Sequence, residues 1–500
     1  MYYFNLKTKF VDFTTGGDLT VFLNNQDARE QDLVDSDRLI MSWVGGQESV
    51  AVEINLTDSL VSAGEIGLSL EVKDQLQIQE GAFIKLSLLG IPESVKAIAK
   101  QLEGGELSYE EVYSVVADLV SRRLDDVTAA FYIASAYWEQ NSSRQKMYYL
   151  TKAMVETGKH FDFGENVVDK HSTGGLCGNR ITPIMVAIVT SQGVKMPKTS
   201  SRAVTSPSGT ADTFEVLASV TFNAEEVKEI IKETNGCVIW GAGGIAPADN
   251  RIIDLARQLP AESFPKMITS IMSKKIAMGA KYLIIDIPVN PTAKVKTLGE
   301  AQEIEELFVY LGKRFGIKVQ VVSYYSLGPV GRGIGPALEA RDILRVMQRK
   351  QNRPLDLEKK SVYYSGELLE LVGKVENGQG RKIAQEALDS GKAWQQMQRI
   401  IKAQKGNPDI DSEAIEIGSV THDVRAIKEG RVRAINDDSL DWTTKALGAP
   451  VIKKAGTYLY KLTGEMVKKG DLLCRFYTTG QSRMDLTLET LKNHQIYEIE

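Results

Sequence analysis

From residue 1 to about residue 86, apolar and polar positions alternate in short runs. Leu19-Thr-Val-Phe-Leu23, Ser49-Val-Ala-Val-Glu-Ile54 and Glu80-Gly-Ala-Phe-Ile-Lys-Leu86 are such runs, with Gly-, Asn- and Asp-containing turns between them. A period of two predicts half-buried strands, so this segment reads as a small barrel or sandwich. It carries no catalytic constellation, and its expected use is assembly. At Ile91 the period lengthens. Pro92 suits the first turn of a helix; Val95, Ile98, Ala99 and Leu102 follow at helical spacing, and Gly104-Gly105 stops them. Ser108-Tyr-Glu-Glu111 has the form of a capping box, with Val112, Val115, Val116 and Leu119 as the stripe behind it. Leu124 to Trp138 predicts one more helix.

Between residues 160 and 350 strand-like and helix-like patterns alternate, which predicts an α/β layer. Asn166-Val-Val168 leads into a loop and Pro183 to Val189 into a helix. Ser263 to Lys281 reads as a long helix and Leu283-Ile-Ile-Asp-Ile287 as a buried strand. Ala301 to Phe315 reads as an amphipathic helix and Lys318 to Ser323 as a strand. Residues 361–404 are helical, and β character returns from about 412. The expected organisation is a β-rich N-terminal assembly domain (1–86) and a helical domain (87–160, completed by part of 361–404). An α/β domain (161–350), a helical connection (351–411) and a β-rich C-terminal domain (412–500) follow.

Composition narrows the chemistry. The 500 residues carry a net charge of −5, so no global basic field draws the chain to nucleic acid or an anionic membrane. Any anion site has to be local. Cys177, Cys237 and Cys474 are far apart, and His160, His171, His422 and His494 are scattered. Neither a disulfide framework nor a metal cluster is expected, and no cofactor is required. The opening residues lack the pattern of a signal peptide, and no run approaches the length of a membrane span, so a cytoplasmic location is expected.

Two hydroxyl-rich, glycine-punctuated stretches stand out, Val168 to Arg180 and Lys198 to Glu215. Each carries a cation, Lys170 or Arg202, and each runs into a helical pattern. Free backbone N–H groups at a helix N-terminus, with the helix dipole behind them, suit an anion. The plain alternative is a pair of polar turns. There is no G-x-x-x-x-G-K-[ST], H-E-x-x-H or G-x-S-x-G, and Gly241-Ala-Gly-Gly244 only superficially resembles a dinucleotide loop. What remains is transfer chemistry with phosphate as a reactant.

Lys170-His-Ser-Thr-Gly-Gly175 and Thr199 to Glu215 resemble the thymidine phosphorylase family, and in particular its long branch of nucleoside 5′-monophosphate phosphorylases. The resemblance extends over nearly the whole chain. It implies a helical domain facing the α/β domain across a cleft, and phosphorolysis of AMP, and also CMP and UMP, to free base and ribose 1,5-bisphosphate. It implies that Lys170, Ser172, Thr182, Ser200 and Thr210 bind phosphate. Gly175, Ser201, Arg202, Ala203, Val204, Thr205, Ser206 and Thr210 would line the nucleotide site. Ser270 and Lys274 would meet the base, and His171 would lie beside the substrate or orient its loop. Lys294, apolar in the short branch, would face the 5′-phosphate. Leu255 stands where the short branch grips a pyrimidine with arginine. The family's proposed proton donor, an aspartate eight residues before the serine, is here Glu262. Its carboxyl lies one carbon further out, roughly 1.5 Å. A homodimer is implied, with larger assemblies through the N-terminal domain. The alternatives are a pyrimidine nucleoside phosphorylase and a non-catalytic nucleotide-binding protein on the same scaffold. The residues do not rank the bases.

Overall fold

The computed structural model describes residues 3–16, 19–43, 49–76, 78–138, 143–203, 206–241, 245–256, 263–291, 293–491 and 494–500. They divide into two compact units, Met1–Thr157 with Pro247–Ala261, and Gly158–Ala246 with Glu262–Glu500.

In the first unit the alternating N-terminal runs form a closed barrel. Its strands follow one another around the barrel as Phe4–Phe10, Glu65–Leu68, Thr20–Asn24, Val50–Thr57, Arg38–Trp43 and Phe83–Leu88. The last strand closes on the first in antiparallel register, Leu6 opposite Ile84. Leu39 and Met41, Val52 and Ile54, Ile66 and Leu68, and Ile84 and Leu86 all point inward and are fully buried, as a period of two requires. Closure leaves no unpaired edge. The barrel ends at Leu88, two residues beyond the expected boundary.

Four helices follow, Ser94–Leu102, Tyr109–Val120, Asp126–Trp138 and Arg144–Glu156. Ser108 caps the second: its hydroxyl accepts from the Glu111 amide at 3.2 Å, and Glu111 accepts from the Ser108 amide at 2.7 Å. The element that completes their core was expected from 361–404. It is instead the helix Pro247–Ala256, whose Ala248, Ile252 and Leu255 sit at helical spacing and pack with Val112, Val116 and Met154.

The second unit is built on parallel strands. Lys318–Tyr325, Tyr282–Val289 and Val168–Ser172 form one sheet in that order, and Met196–Ser200 pairs with Gly236–Trp240 in another. A parallel bridge between Val167 and Lys195 joins the two. Opposite faces of Gly236–Trp240 supply different cores. Cys237 and Ile239 pack with the helices Ala224–Thr234 and Phe264–Ala277, whereas Val238 packs with Ile181–Ser191. The helices Leu355–Leu371, Gly380–Asp389 and Lys392–Ala403 bury their stripes (Leu368 and Leu369, Ala384 and Leu388, Ile400 and Ile401) in that second core. They are therefore an integral layer of the α/β body, not the connection expected at 351–411.

The C-terminal strands Val420–Arg425, Gly456–Leu459 and Leu472–Thr478 make a sheet with Gly333–Ile334, and Gly430–Ile435 pairs with Met466–Val467 and Tyr497–Ile499. Two helices that the β-rich expectation missed, Asp437–Ala446 and Gln481–Leu491, cover this core. Among the described residues, no helix is long and apolar enough to cross a membrane.

Candidate active site

In open parallel sheets, ligands bind beyond the carboxyl ends of the strands. The sequence motifs converge there. Lys170, His171 and Ser172 are the last residues of their strand rather than loop residues, and Thr199 and Ser200 end the next. The chain leaves the sheets from this end after Ser172, Ser200, Trp240 and Val289.

Loop 173–180 runs into the helix Ile181–Ser191, whose N-terminus has no side-chain cap and where Thr182 is buried in the first turn. Gly174 and Gly175 have φ of +86° and +89°, a region that favours glycine. A Cβ on Gly175 would stand 2.7 Å from the Lys294 amide nitrogen, and one on Gly174 3.8 Å from Lys294 Cε. The glycine loop and the Lys294 loop therefore lie directly against each other. The latter is shaped by Asn290, which donates to the Ser326 carbonyl at 3.0 Å, and by a bridge between Val289 and Val295.

The second motif is self-supporting. The Asp212 carboxylate accepts from the amides of Ala203 at 2.7 Å and Gly209 at 2.9 Å. Arg202 lies over the Trp240 ring and makes a two-point pair with Glu215, at 2.7 and 2.6 Å. Lys453, from the C-terminal strand domain, adds contacts to Asp212 at 3.2 Å and Glu215 at 2.8 Å. The Arg202 hydrogen bonds and then Lys453 bring the Glu215 carboxyl down to about 2, against the burial that opposes them. Ser206 donates to the Ser208 carbonyl at 2.7 Å, and Ser200 to the Ser201 carbonyl at 3.3 Å. Arg180 ties the two motifs together: it pairs with Glu339 at 2.5 Å and donates to the Ser208 carbonyl. Thr210 begins the short helix Thr210–Phe214. Ser270 and Lys274 stand one turn apart on Phe264–Ala277, Lys274 donating to the Ser270 hydroxyl at 3.0 Å. The Lys274 side chain passes Gly241, whose added Cβ would lie 3.4 Å from Lys274 Cδ.

Beneath these groups lies a charge arrangement that motif reading missed. Asp286 holds Lys170 at 3.1 Å and Lys360 at 3.4 Å. It also accepts from Tyr364 at 2.7 Å and Asn179 at 3.3 Å. Asp169 holds Lys275 at 2.7 Å and Lys198 at 3.3 Å. Four lysines thus share two carboxylates, an excess of positive charge under the strand ends. Burial is costly for an ion without full compensation, and the titrations follow. Burial lowers Lys170 to about 8 against the pull of Asp286, and Lys275 to about 7 against that of Asp169. Burial alone would raise the Asp286 carboxyl, but Lys170 and Lys360 hold it far below the ordinary range. Desolvation and then the neighbouring lysines depress His171 well below its usual value, so it is neutral. His171 Nδ1 and Thr173 Oγ1 are buried without hydrogen-bond partners among the described residues. The signal for Asp286 was present: one acid inside the apolar run Leu283 to Ile287. Nothing local marked Lys360, which lies 74 residues further along the chain.

The structure brings Lys170, His171, Ser172, Gly175, Thr182, Ser200, Thr210, Ser270, Lys274 and Lys294 to one end of the sheet. Glu262, Val204 and Thr205 lie outside the described residues.

Residues 164–394 match the family described as glycosyl transferase family, a/b domain. An AMP phosphorylase of Thermococcus kodakarensis is 38% identical over 496 residues, 99% of this chain and 97% of the relative. One from Methanococcus vannielii is 36% identical over 482 residues, 96% of this chain and 94% of the relative. One from Pyrococcus furiosus is 37% identical over 496 residues. The solved anthranilate phosphoribosyltransferase of Thermus thermophilus superposes with a TM-score of 0.52 at 18% identity, over 62% of this chain and 99% of that one, a likeness of fold. With its motifs gathered at the strand ends and its relatives matched end to end, the chain belongs to the AMP phosphorylase family.

Proposed function

We propose that this protein catalyses phosphorolysis of nucleoside 5′-monophosphates, AMP first and also CMP and UMP, to free base and ribose 1,5-bisphosphate. The observation that carries this reading is the surplus of buried lysine charge under the strand ends, beside a glycine loop packed on Lys294. A phosphate dianion matches that surplus. Its oxygen attacks C1′ as the bond from C1′ to the base nitrogen breaks, and the departing base takes up a proton. Lys170, Ser172, Thr182, Ser200 and Thr210 hold the attacking phosphate. Ser270 and Lys274 meet the base, and Lys294 receives the 5′-phosphate. Gly175 and the segment from Ser201 to Ser206 line the ribose side, with Arg202 held by Glu215. Placement of the two reactants supplies most of the rate. Proton donation adds about 10²–10⁴-fold, and Glu262 is the donor. Neutral His171 serves as a hydrogen-bonding neighbour of the substrate. The helical domain forms the homodimer surface, while the barrel links dimers. The location is cytoplasmic.

The test is phosphate-dependent base release from AMP, GMP, CMP, UMP, adenosine, uridine and thymidine. Reaction of the monophosphates alone supports the reading. Reaction of thymidine or uridine without the nucleotides would make Lys294 a bystander and the protein a nucleoside phosphorylase. Binding of AMP with no release under saturating phosphate would point to a non-catalytic protein, with Glu262→Asp as the next variant to make.

A further inference from the structure

The helix Leu355–Leu371 lies outside both motifs, yet it sends two side chains to the Lys170 counter-ion. Lys360 Nζ lies 3.4 Å from Asp286 Oδ2, the same oxygen that Lys170 Nζ meets at 3.1 Å. Tyr364, one turn on, donates to the other oxygen at 2.7 Å. Its ring faces both ammonium groups, with centroid distances of 5.7 Å to Lys170 and 5.6 Å to Lys360. Lys360 also donates to the Tyr324 hydroxyl. Asp286 is fully buried. The carboxylate thus has two cations on one oxygen and cannot neutralise both.

The other cations near Lys170 are held by other acids. Arg180 is paired with Glu339, while Lys198 and Lys275 are bound to Asp169. Lys360 is the like charge that competes directly for the Lys170 partner. We propose that Lys360 is a positioning residue for the attacking phosphate: by sharing Asp286 Oδ2 it stops Lys170 from being neutralised by its own counter-ion, and so keeps the Lys170 ammonium committed to the incoming anion. This rests on the reading of Lys170 as a phosphate ligand. Burial, partly opposed by Asp286, and then the Lys360 charge bring Lys170 down to about 8. Removing Lys360 removes a depressing charge, so the Lys170 proton is then lost at higher pH.

Full-length Lys360→Met and Lys360→Arg are compared with wild type. Inorganic phosphate binding is measured by calorimetry across pH, and base release from AMP with each substrate varied in turn. Lys360→Met is expected to weaken phosphate binding and raise the KM for phosphate about tenfold, with the KM for AMP unchanged. Its alkaline limb of phosphate binding is expected to move up by about one pH unit. Lys360→Arg keeps the charge and restores both. Unchanged phosphate affinity with an unmoved limb would overturn the proposal. So would a joint loss of phosphate and AMP affinity, with a lowered melting temperature, that arginine does not rescue. The phosphate-binding arm decides the matter even if the wild type releases no base, a result that would remove the phosphorolysis reading alone.

Discussion

Asp286→Asn is the sharpest perturbation of the buried charge. The wild-type carboxylate is fully buried and holds two ammonium groups, at 3.1 and 3.4 Å. Asparagine keeps the shape and can still accept from Tyr364, but it leaves both lysines without a counter-charge. Breaking a buried pair by removing one partner costs about 3–5 kcal/mol. Because the amide still offers a carbonyl oxygen, about 3 kcal/mol is expected, a fall of roughly 5–10 °C in the melting midpoint of the α/β body. The sign of the pH dependence follows from linkage. Lys170 titrates at about 8 in the folded wild type, below its unfolded value of about 10.4. A lysine with a depressed folded pKa binds fewer protons folded than unfolded between those two values. Stability contributed by this group therefore rises with pH across that window. In the variant the folded value drops further, so recovery starts at lower pH, and the deficit against wild type narrows as pH rises towards 8. Thermal unfolding followed by circular dichroism from about pH 6 to about pH 9, with and without inorganic phosphate, reads this. Phosphate should stabilise the variant, since a bound anion replaces part of the lost charge. A midpoint change under about 2 °C, or a deficit constant across pH, would refute the claim that the lysines are held by Asp286 at an electrostatic cost.

Other perturbations test separate parts of the site and fold. Gly175→Ala introduces a Cβ 2.7 Å from the Lys294 amide nitrogen at a φ of +89°; the displaced loop should slow base release from AMP on the order of 10²-fold, measured by steady-state kinetics. Lys294→Met should raise the KM for AMP about 10- to 100-fold while any turnover of adenosine is unaffected, and parallel losses on both substrates would remove the 5′-phosphate role. Ser108→Ala deletes the hydroxyl cap of Tyr109–Val120 and should cost about 1 kcal/mol in denaturant unfolding with kcat unchanged.

Much of the architecture was legible because it depends on local periodicity. The Ser108 capping box, the strand Leu283 to Ile287 and the helix Ala301 to Phe315 all formed where their patterns placed them. The errors came where a pattern is shared by two partners. Residues 361–404 carry apolar stripes that fit any helical core, and only packing assigned them to the α/β body while Pro247–Ala256 completed the N-terminal helical cluster. Asp437–Ala446 and Gln481–Leu491 were missed because a β-rich stretch masked two short amphipathic segments.

By itself the sequence determined most element types outside the C-terminal domain, the glycine positions that left-handed turns require, and the two motifs that carry the family resemblance. These are properties of neighbours along the chain: side-chain period, backbone freedom, hydroxyl and cation spacing. Only the tertiary structure decided that Lys170 shares its carboxylate with Lys360, that Lys275 lies on Asp169, and that Gly175 abuts Lys294. Those pairings join residues tens to nearly two hundred positions apart. Their energies arise from burial and from the number of charges around one oxygen, quantities that exist only once the strands and helices are packed.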